Sequence, residues 1–449
     1  MRQGASRLVL LLLAFTALPM QAEGPLYVGG SPQSVSFPNG IPNSVPGKPF
    51  HWNPSNFPLT YWTDPTAGVG SMTKTQSDDL VKQAFSVWQS VPTTTITFNK
   101  AGDLGGNVTA SNAQAVINAV SDCSTLSGGP LTGGVARDRT IIYDDSQGHI
   151  ITALGDDPNS TLGFADAVCL SSDGTDNYFN RGYAVLGGLG ITSTNASTKL
   201  LPVMVHEFGH MIGLDHSQIN LDCLNFADAS TCPGIGGVPT MFPILMTGGE
   251  DQMISPAADD IAGISALYPG ATFASSTGTI TGYIYFSDTV TQAQGLNVIA
   301  RLVSDPLNTA VSNVSGDLHT GDNGNPFVQS ATPGLTTPSP FGSHNDNQLG
   351  LFTIPGLPPG NYTVEVEAIN NSGLNPFVGG SGLQPIGGLG FEYAMPGICS
   401  TELWNSSESN NDLCTASTPI PVTAGPTPAS ANIILNGTGP RYDAWEDGP

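Results

Sequence analysis

Positive charge is scarce in this sequence. It contains 12 Lys and Arg residues against 36 Asp and Glu residues, which gives a formal net charge of −24 at pH 7. Nucleic acids and anionic membrane surfaces are bound by basic faces, so this composition argues against both as partners. The surplus of carboxylates favours solubility and leaves oxygen ligands for a cation such as calcium.

Long apolar segments are also missing after residues 1–22, so we expect no insertion into a membrane. Residues 1–22 themselves have the pattern of a secretory signal peptide. Arg2 and Arg7 supply positive charge, Leu8 to Leu18 form the apolar core, and Ala22 is a small residue suited to cleavage. The mature protein is therefore expected to be secreted and extracellular.

Cysteine is limited to six residues, none of them before Cys123, and no CxxC pair occurs. The missing CxxC argues against a thiolate zinc site. An even number of cysteines in an exported chain predicts three disulfides, although their connectivity is not determined by the sequence. Proximity favours Cys223–Cys232 and Cys399–Cys414, which leaves Cys123–Cys169.

Histidine, by contrast, is concentrated in one short segment, where Glu207 stands beside the first of three histidines. On a helix, residues four apart share one face, so His206 and His210 can aim their rings at one point. Gly213 permits a turn with positive φ that brings in His216 as a third nitrogen donor. Three imidazoles with one open position predict a catalytic zinc site. The alternative is a helix with buried, hydrogen-bonded histidines, which is costly without a shared cation.

The pattern HExxHxxGxxH resembles the signature of the metzincin metallopeptidases. His216 followed by Ser217 is most similar to the matrixin branch, and residues 239–243 (Pro-Thr-Met-Phe-Pro) are similar to its Met-turn. This resemblance implies that Met241 lies beneath the zinc; Met246 is the rival candidate. Phe242 stands where many matrixins have tyrosine. Pro243 stands where some related subfamilies have a tyrosine ligand, which implies three protein ligands plus water.

The same resemblance extends to a helix after the Met-turn. Ser255 and Pro256 have the pattern of a helix start, and the helix is expected to run to Tyr268. The sequence around Asp260 resembles the closing matrixin helix, in which the second of two aspartates supports the Met-turn. The alternative is an exposed charge at a helix start.

Latency in matrixins usually depends on a propeptide cysteine that caps the zinc. Residues 23–49 are predicted to be an extended segment, and no cysteine precedes Cys123. Either latency is achieved in another way or the enzyme has none.

Residues 50–270 are predicted to form an α+β metzincin catalytic domain, with a mixed twisted sheet, an active-site helix and a C-terminal helix. Apolar spacing predicts a helix over 76–91, and the active-site helix is expected from Thr198 to Gly213 with Pro202 in its first turn. Residues 101–135 are expected to be irregular. Strands are predicted at 59–62, 96–98, 140–143, 162–165 and 183–186. The resemblance to metzincins implies that an edge strand binds substrate by strand addition, and 161–167 is the candidate.

Two acidic turns are candidate calcium sites, one at Asp144 and Asp145 and the other at Asp173 and Asp176. The alternative at both places is a solvated turn, because Asp and Gly are common turn residues. His149 is expected to be a surface histidine.

Residues 271–277 are predicted to be a linker, followed by an all-β sandwich domain over 278–437 and a tail over 438–449. Residues 352–362 resemble the carboxypeptidase-regulatory-like sandwich, in which a Pro-Gly turn joins two strands. Residues 371–430 are predicted to be an insertion. Alternating patterns predict strands at 279–285, 296–302, 362–366 and 431–435.

These observations predict a zinc endopeptidase that acts on a protein or peptide substrate. His206, His210 and His216 would bind zinc, and Glu207 would act as general base. The alternative, from a different class, is a secreted adhesin or matrix-binding protein with a vestigial peptidase domain. The intact ligand set and glutamate favour the enzyme.

Overall fold

In the computed structural model, the described residues are 11–12, 24–29, 44–45, 47–124, 131–217, 219–220, 238–245, 253–290, 292–293, 296–316, 350–368, 399 and 401–437. The predictions that lie outside them concern the Cys223–Cys232 bridge, Met246, residues 371–398 of the insertion and the tail 438–449. Of the predicted signal peptide, only the short strand β1 (Leu11–Leu12) is described.

A mixed sheet with several helices occupies the first part of the chain. Its strands are β2 (Phe50–Trp52), β3 (Leu59–Thr63), β4 (Phe98–Asp103), β5 (Arg139–Tyr143), β6 (Gly163–Ser172) and β7 (Asn177–Leu186). A short β8 (Ile244–Leu245) pairs with β1. The helices are α1 (Lys74–Gln89), α2 (Ala113–Ser121), α3 (His149–Leu154), α4 (Ala196–Lys199), α5 (Leu201–Met211) and α6 (Ala258–Leu267).

Strand β7 organises this sheet. It pairs in parallel with β2 and β5 along one edge and antiparallel with β6 along the other. The sheet continues in parallel from β5 to β3 and from β3 to β4. Strand β6 is therefore the antiparallel edge strand, and the mixed sheet with its helices fits the predicted α+β domain.

Helix α1 packs against the active-site helix α5. The Trp88 indole N–H donates to the Val205 carbonyl at 2.8 Å, and the Phe85 ring stacks on Phe208 with centroids 3.9 Å apart. The predicted apolar stripe of α1 is thus a core stripe. The helix begins earlier than predicted because Thr73 and Gln76 form a reciprocal capping box.

Two helices lie where the sequence prediction has none. Residues 101–135 were expected to be irregular, which is wrong for α2; its buried Ala113, Val116, Ile117 and Val120 have helical spacing. The surrounding glycine and serine residues obscure this short pattern. Helix α3 is shorter still, with six residues, and is bounded by glycines with positive φ at both ends.

The active-site and closing helices also begin differently from the prediction. The single helix expected from Thr198 is two helices, α4 and α5, with Pro202 in the first turn of α5. The closing helix was expected to begin at Ser255. Instead α6 begins at Ala258, because the Asp260 carboxylate accepts the Ala257 N–H at 2.6 Å and takes the capping role.

The C-terminal part contains two sheets around one core. One sheet has β9 (Gly278–Tyr285), β12 (Leu351–Leu357), β16 (Ala429–Ser430) and β17 (Ile433–Ile434); the other has β10 (Leu296–Leu302), β11 (Val311–Val314), β13 (Gly360–Ala368), β14 (Thr401–Leu403) and β15 (Ile420–Val422). Ile280 and Phe352 from the first share a buried cluster with Val298 and Val364 from the second.

The predicted linker and insertion differ from the structure. A short helix α7 (Phe273–Ser276) lies within the linker. The insertion is wrong for residues 401–430, because β14 and β15 pair with β13 and β16 pairs with β9. These strands are only two or three residues long, too short for an alternating pattern to be recognised.

Two of the three predicted disulfides lie within the described residues and are confirmed. Cys123 bonds to Cys169 and Cys399 bonds to Cys414. Across the described ranges, no helix is long and apolar enough to cross a membrane.

Candidate metal centre and active site

Three imidazole nitrogens converge at the carboxyl end of α5. The Nε2 atom of His206 lies 3.1 Å from that of His210 and 3.2 Å from that of His216, and the last two are 3.0 Å apart. Ligands in a tetrahedron at a zinc–nitrogen distance of about 2.0–2.1 Å lie about 3.3–3.4 Å apart. The triangle of nitrogens therefore fits a zinc ion. Among the residues described, this is the one group of three or more ligating side chains that could hold a metal.

The other ring nitrogens determine which atoms face the centre. The Nδ1 atom of His206 lies 2.7 Å from the Thr240 carbonyl oxygen, and that of His210 lies 2.9 Å from the Leu214 carbonyl oxygen. A carbonyl only accepts hydrogen bonds, so both Nδ1 atoms carry the proton. Both Nε2 atoms then present a lone pair to the centre, which is the tautomer that a metal requires.

Burial keeps all three rings neutral. It lowers the pKa of His206 to about 4 and holds the pKa values of His210 and His216 well below the usual range, with mutual repulsion as a smaller cause. Three uncharged rings can lie this close together because no buried like charges repel one another. They are thus ready to bind a cation at neutral pH.

The turn that brings His216 beside the other two histidines forms as predicted. Gly213 has φ of 101°, and a Cβ there would lie 2.8 Å from the Phe179 ring. A residue with a side chain would be strained by both the conformation and the contact. Residue 213 is therefore suited to glycine.

A feature that sequence reasoning missed is the N-terminal segment against this turn. The Leu26 N–H donates to the Gly213 carbonyl at 2.8 Å, and the Asp215 N–H donates to the Gly24 carbonyl at 3.2 Å. Residues 24–26 thus run antiparallel to the chain that leads into His216. The composition of residues 24–26 does not distinguish them from the rest of the predicted extended segment.

Glu207 lies beside the metal centre and the edge strand. Its side chain is fully buried, and its two carboxylate oxygens have no hydrogen-bond partner among the described residues. Burial raises the pKa of Glu207 well above its usual value. A Cβ on Gly163, the first residue of β6, would lie 3.1 Å from the Glu207 Cγ atom, so this glycine lets β6 approach closely. The carboxyl group therefore lies next to a sheet edge.

Met241 packs against the same helix. A Cβ on Gly209 would lie 2.2 Å from the Met241 sulfur atom, so the methionine lies directly against the helix one residue before His210. Met241 is fully buried, and its carbonyl accepts the Ser217 N–H at 3.0 Å.

Asp260 holds the turn that contains Met241. Its carboxylate accepts the N–H groups of Thr240 at 2.8 Å and of Met241 at 2.9 Å. The Thr240 carbonyl in turn accepts from the His206 ring. Asp260 is fully buried, so the alternative of an exposed helix-start charge is wrong. Burial raises the pKa of Asp260 to about 7, and the donated N–H groups oppose this rise.

The carboxylates of the two acidic turns form hydrogen bonds and ion pairs within the protein. Asp144 Oδ1 accepts the N–H groups of Asp145 and Ile150, and Asp145 Oδ2 lies 2.9 Å from the His149 ring nitrogen. In the second turn, Asp173 Oδ1 accepts two N–H groups, and Asp176 pairs with a lysine. The second turn fits the solvated-turn alternative, whereas Asp144 in the first turn is buried and a solvated turn does not describe it. Neither turn is among the groups of three or more ligating side chains in the described residues, so calcium is not supported.

Comparison with known families agrees with this geometry. Residues 51–226 match the Matrixin family, a span that includes His206, Glu207, His210 and His216. No curated protein is similar enough to the chain to be matched to it. The match and the histidine triangle together support a zinc metallopeptidase domain of the metzincin kind, whose substrate class is protein. The Met241 turn and α6 lie beyond the matched span.

Proposed function

We propose that this protein is a secreted zinc-dependent endopeptidase in which Glu207 is the general base. The observation that carries the proposal is the convergence of three neutral imidazole nitrogens beside a buried glutamate. A structural zinc site would be closed by a fourth protein ligand, whereas the described residues supply three.

The residues divide the chemistry between them. Zinc bound to the three histidines would polarise the scissile carbonyl and lower the pKa of water to about 7. Glu207 takes a proton from the attacking water and passes it to the amine nitrogen as the C–N bond breaks. Its two oxygens have no hydrogen-bond partner among the described residues, and burial raises its pKa, so its ionised form is a stronger base than an exposed glutamate.

Strand β6 is the proposed binding strand for the substrate. It is the antiparallel edge of the sheet, and it begins beside Glu207 at Gly163. An extended peptide added to this edge would gain backbone hydrogen bonds and present a peptide bond to the glutamate. The predicted strand 161–167 covers the start of β6.

Four finer assignments accompany this proposal. Met241 forms the apolar floor beneath the ligands, and Asp260 positions His206 through the Thr240 carbonyl. Residues 278–437 form a regulatory-like sandwich, which the two sheets around one core support. Secretion is supported by the two disulfides, which persist in oxidising compartments.

The test is Glu207→Ala in the full chain. We expect the variant to keep about one zinc per chain by metal analysis and to lose hydrolysis of an unfolded protein substrate, because the ligands remain and the base is gone. Glu367→Ala, which removes a half-buried glutamate in β13, is the matched control and should retain both zinc and activity. Turnover by Glu207→Ala at the rate of the natural protein would refute the assignment. So would a zinc-loaded natural protein that cleaves nothing.

A further inference from the structure

Helix α6 belongs to both parts of the molecule. Its Ile264 and Leu267 lie in the core of the first domain, whereas Ala262 lies in the core between the two C-terminal sheets. A Cβ on Gly356 of β12 would lie 2.8 Å from the Ala262 Cβ, so helix and sheet are in close contact. The C-terminal domain therefore reaches the neighbourhood of the metal centre through this helix.

One carboxylate on α6 connects the two domains at the third ligand. Asp259 is 1% exposed. One of its oxygens accepts the Ser217 hydroxyl at 2.6 Å, and the other accepts the Ser312 N–H of β11 at 2.6 Å. The Ser312 hydroxyl donates to the same carboxylate at 3.1 Å. Ser217 directly follows His216, so Asp259 joins the ligand's own chain segment to the C-terminal sheet.

The chain continues from Ser217 along the C-terminal domain. Ile219 is 1% exposed and forms a separate apolar cluster with Ile299 of β10 and Ala310. Burial of the Ile219 side chain stabilises this contact, because it removes apolar surface from water. This contact is independent of the Asp259 hydrogen bonds.

Asn220 makes a third contact. Its side-chain N–H donates to the Leu307 carbonyl at 3.1 Å, and its oxygen accepts from the Arg301 guanidinium at 2.6 Å. Arg301 is itself held by Glu365, with Nε donating to the carboxylate at 2.6 Å. Asn220 has φ of 61°, a conformation that asparagine tolerates better than most residues. A fixed side chain thus holds the backbone in this less common conformation.

The three histidines depend on these contacts unequally. His206 and His210 are placed by α5 itself, because residues four apart on a helix share one face. His216 lies beyond the Gly213 turn, outside any helix or strand. Its position therefore depends on what holds the chain on either side of it.

We propose that the C-terminal domain is a structural part of the zinc site: through Ser312 bound to Asp259, through the Ile219 cluster and through Arg301, it fixes residues 217, 219 and 220 and so positions His216 as the third ligand. The proposal deepens the proposed function and rests on zinc being the metal at this site. Asp259 contacts Ser217 and Arg301 contacts Asn220, so both act on His216 through the chain and are positioning residues.

The experiment measures zinc release from the full-length protein to a chromogenic chelator. Loss of groups that orient metal ligands typically weakens metal binding about 10–100-fold, and we expect Asp259→Ala and Arg301→Ala to do so. Asp259→Asn should recover much of the affinity, because the amide still accepts from Ser312 N–H and bonds to Ser217. Urea unfolding of the metal-free variants separates loss of position from loss of fold.

One control variant stays within the C-terminal domain. Among the described residues, the buried Ser315 hydroxyl bonds to Leu296 N–H and to the Ala293 carbonyl, both in that domain. Ser315→Ala should release zinc within about twofold of the natural protein.

Zinc release by Asp259→Ala and Arg301→Ala within twofold of the natural protein would overturn the proposal. So would an effect of the same size from Ser315→Ala, because the domain would then act only through general stability. A natural protein that binds zinc tightly and cleaves nothing would refute the peptidase, while the zinc comparison would still decide this inference.

Discussion

Replacing Asp166 by asparagine should change how stability depends on pH. Asp166 lies on β6 with 5% of its surface exposed, and its Oδ1 atom is buried with no hydrogen-bond partner among the described residues. The carboxyl group bonds to the Tyr27 side chain and the Ala167 N–H. Burial raises its pKa from 3.8 to about 7, and the two hydrogen bonds oppose this rise.

The direction in which stability changes with pH follows from proton binding. Between pH 3.8 and about 7 the folded protein keeps the Asp166 proton, whereas the unfolded chain releases it. Stability from this group is therefore fully present below the unfolded pKa and is lost as pH rises through the folded pKa. A rise of about 3 in pKa corresponds to roughly 4 kcal/mol, an upper value for this loss.

The assay is urea unfolding of metal-free protein, followed by tryptophan fluorescence, at several pH values between about 4 and 8. Asparagine resembles the protonated acid, so the Asp166→Asn variant should gain stability relative to the natural protein by up to about 4 kcal/mol as pH rises. Other titrating groups cancel in this difference. Asp157→Asn, at an exposed turn, is the control and should track the natural protein. Parallel curves for Asp166→Asn and the natural protein would show that the buried carboxyl does not hold its proton.

Two further substitutions test the geometry around the metal. Gly213→Ala should destabilise the fold by roughly 2–4 kcal/mol in urea unfolding, because φ of 101° and the Phe179 ring 2.8 Å away both oppose a Cβ; a loss below about 0.5 kcal/mol would contradict this reasoning. Asp260→Ala should weaken zinc binding about 10–100-fold in competition with a chelator, because the Thr240 and Met241 N–H groups lose their acceptor and His206 loses its fixed partner; affinity within twofold of the natural protein would remove Asp260 from the site.

Local rules account for the parts of the fold that the sequence predicted well. The α1 stripe and the strands at β3, β5 and β10 follow from the periodicity of apolar residues within one element. The shorter elements were not predicted from periodicity. Helix α2 and strands β14 to β16 span too few residues for a pattern to exceed the glycine and serine around them.

The sequence by itself determined the candidate metal site. Residues 206, 207, 210 and 216 lie close along the chain, and a helix followed by a glycine turn brings them together with no distant partner required. Only the tertiary structure decided what holds them there. Residues 24–26 run beside the Gly213 turn, and Asp259 joins Ser217 to Ser312. The Asp260 contact with the Met241 turn, by contrast, was expected from the resemblance to matrixins. The physical reason is that a buried polar group needs a hydrogen-bond partner close in space. These partners come from segments that are distant along the chain, and their residue types alone do not indicate which groups will pair.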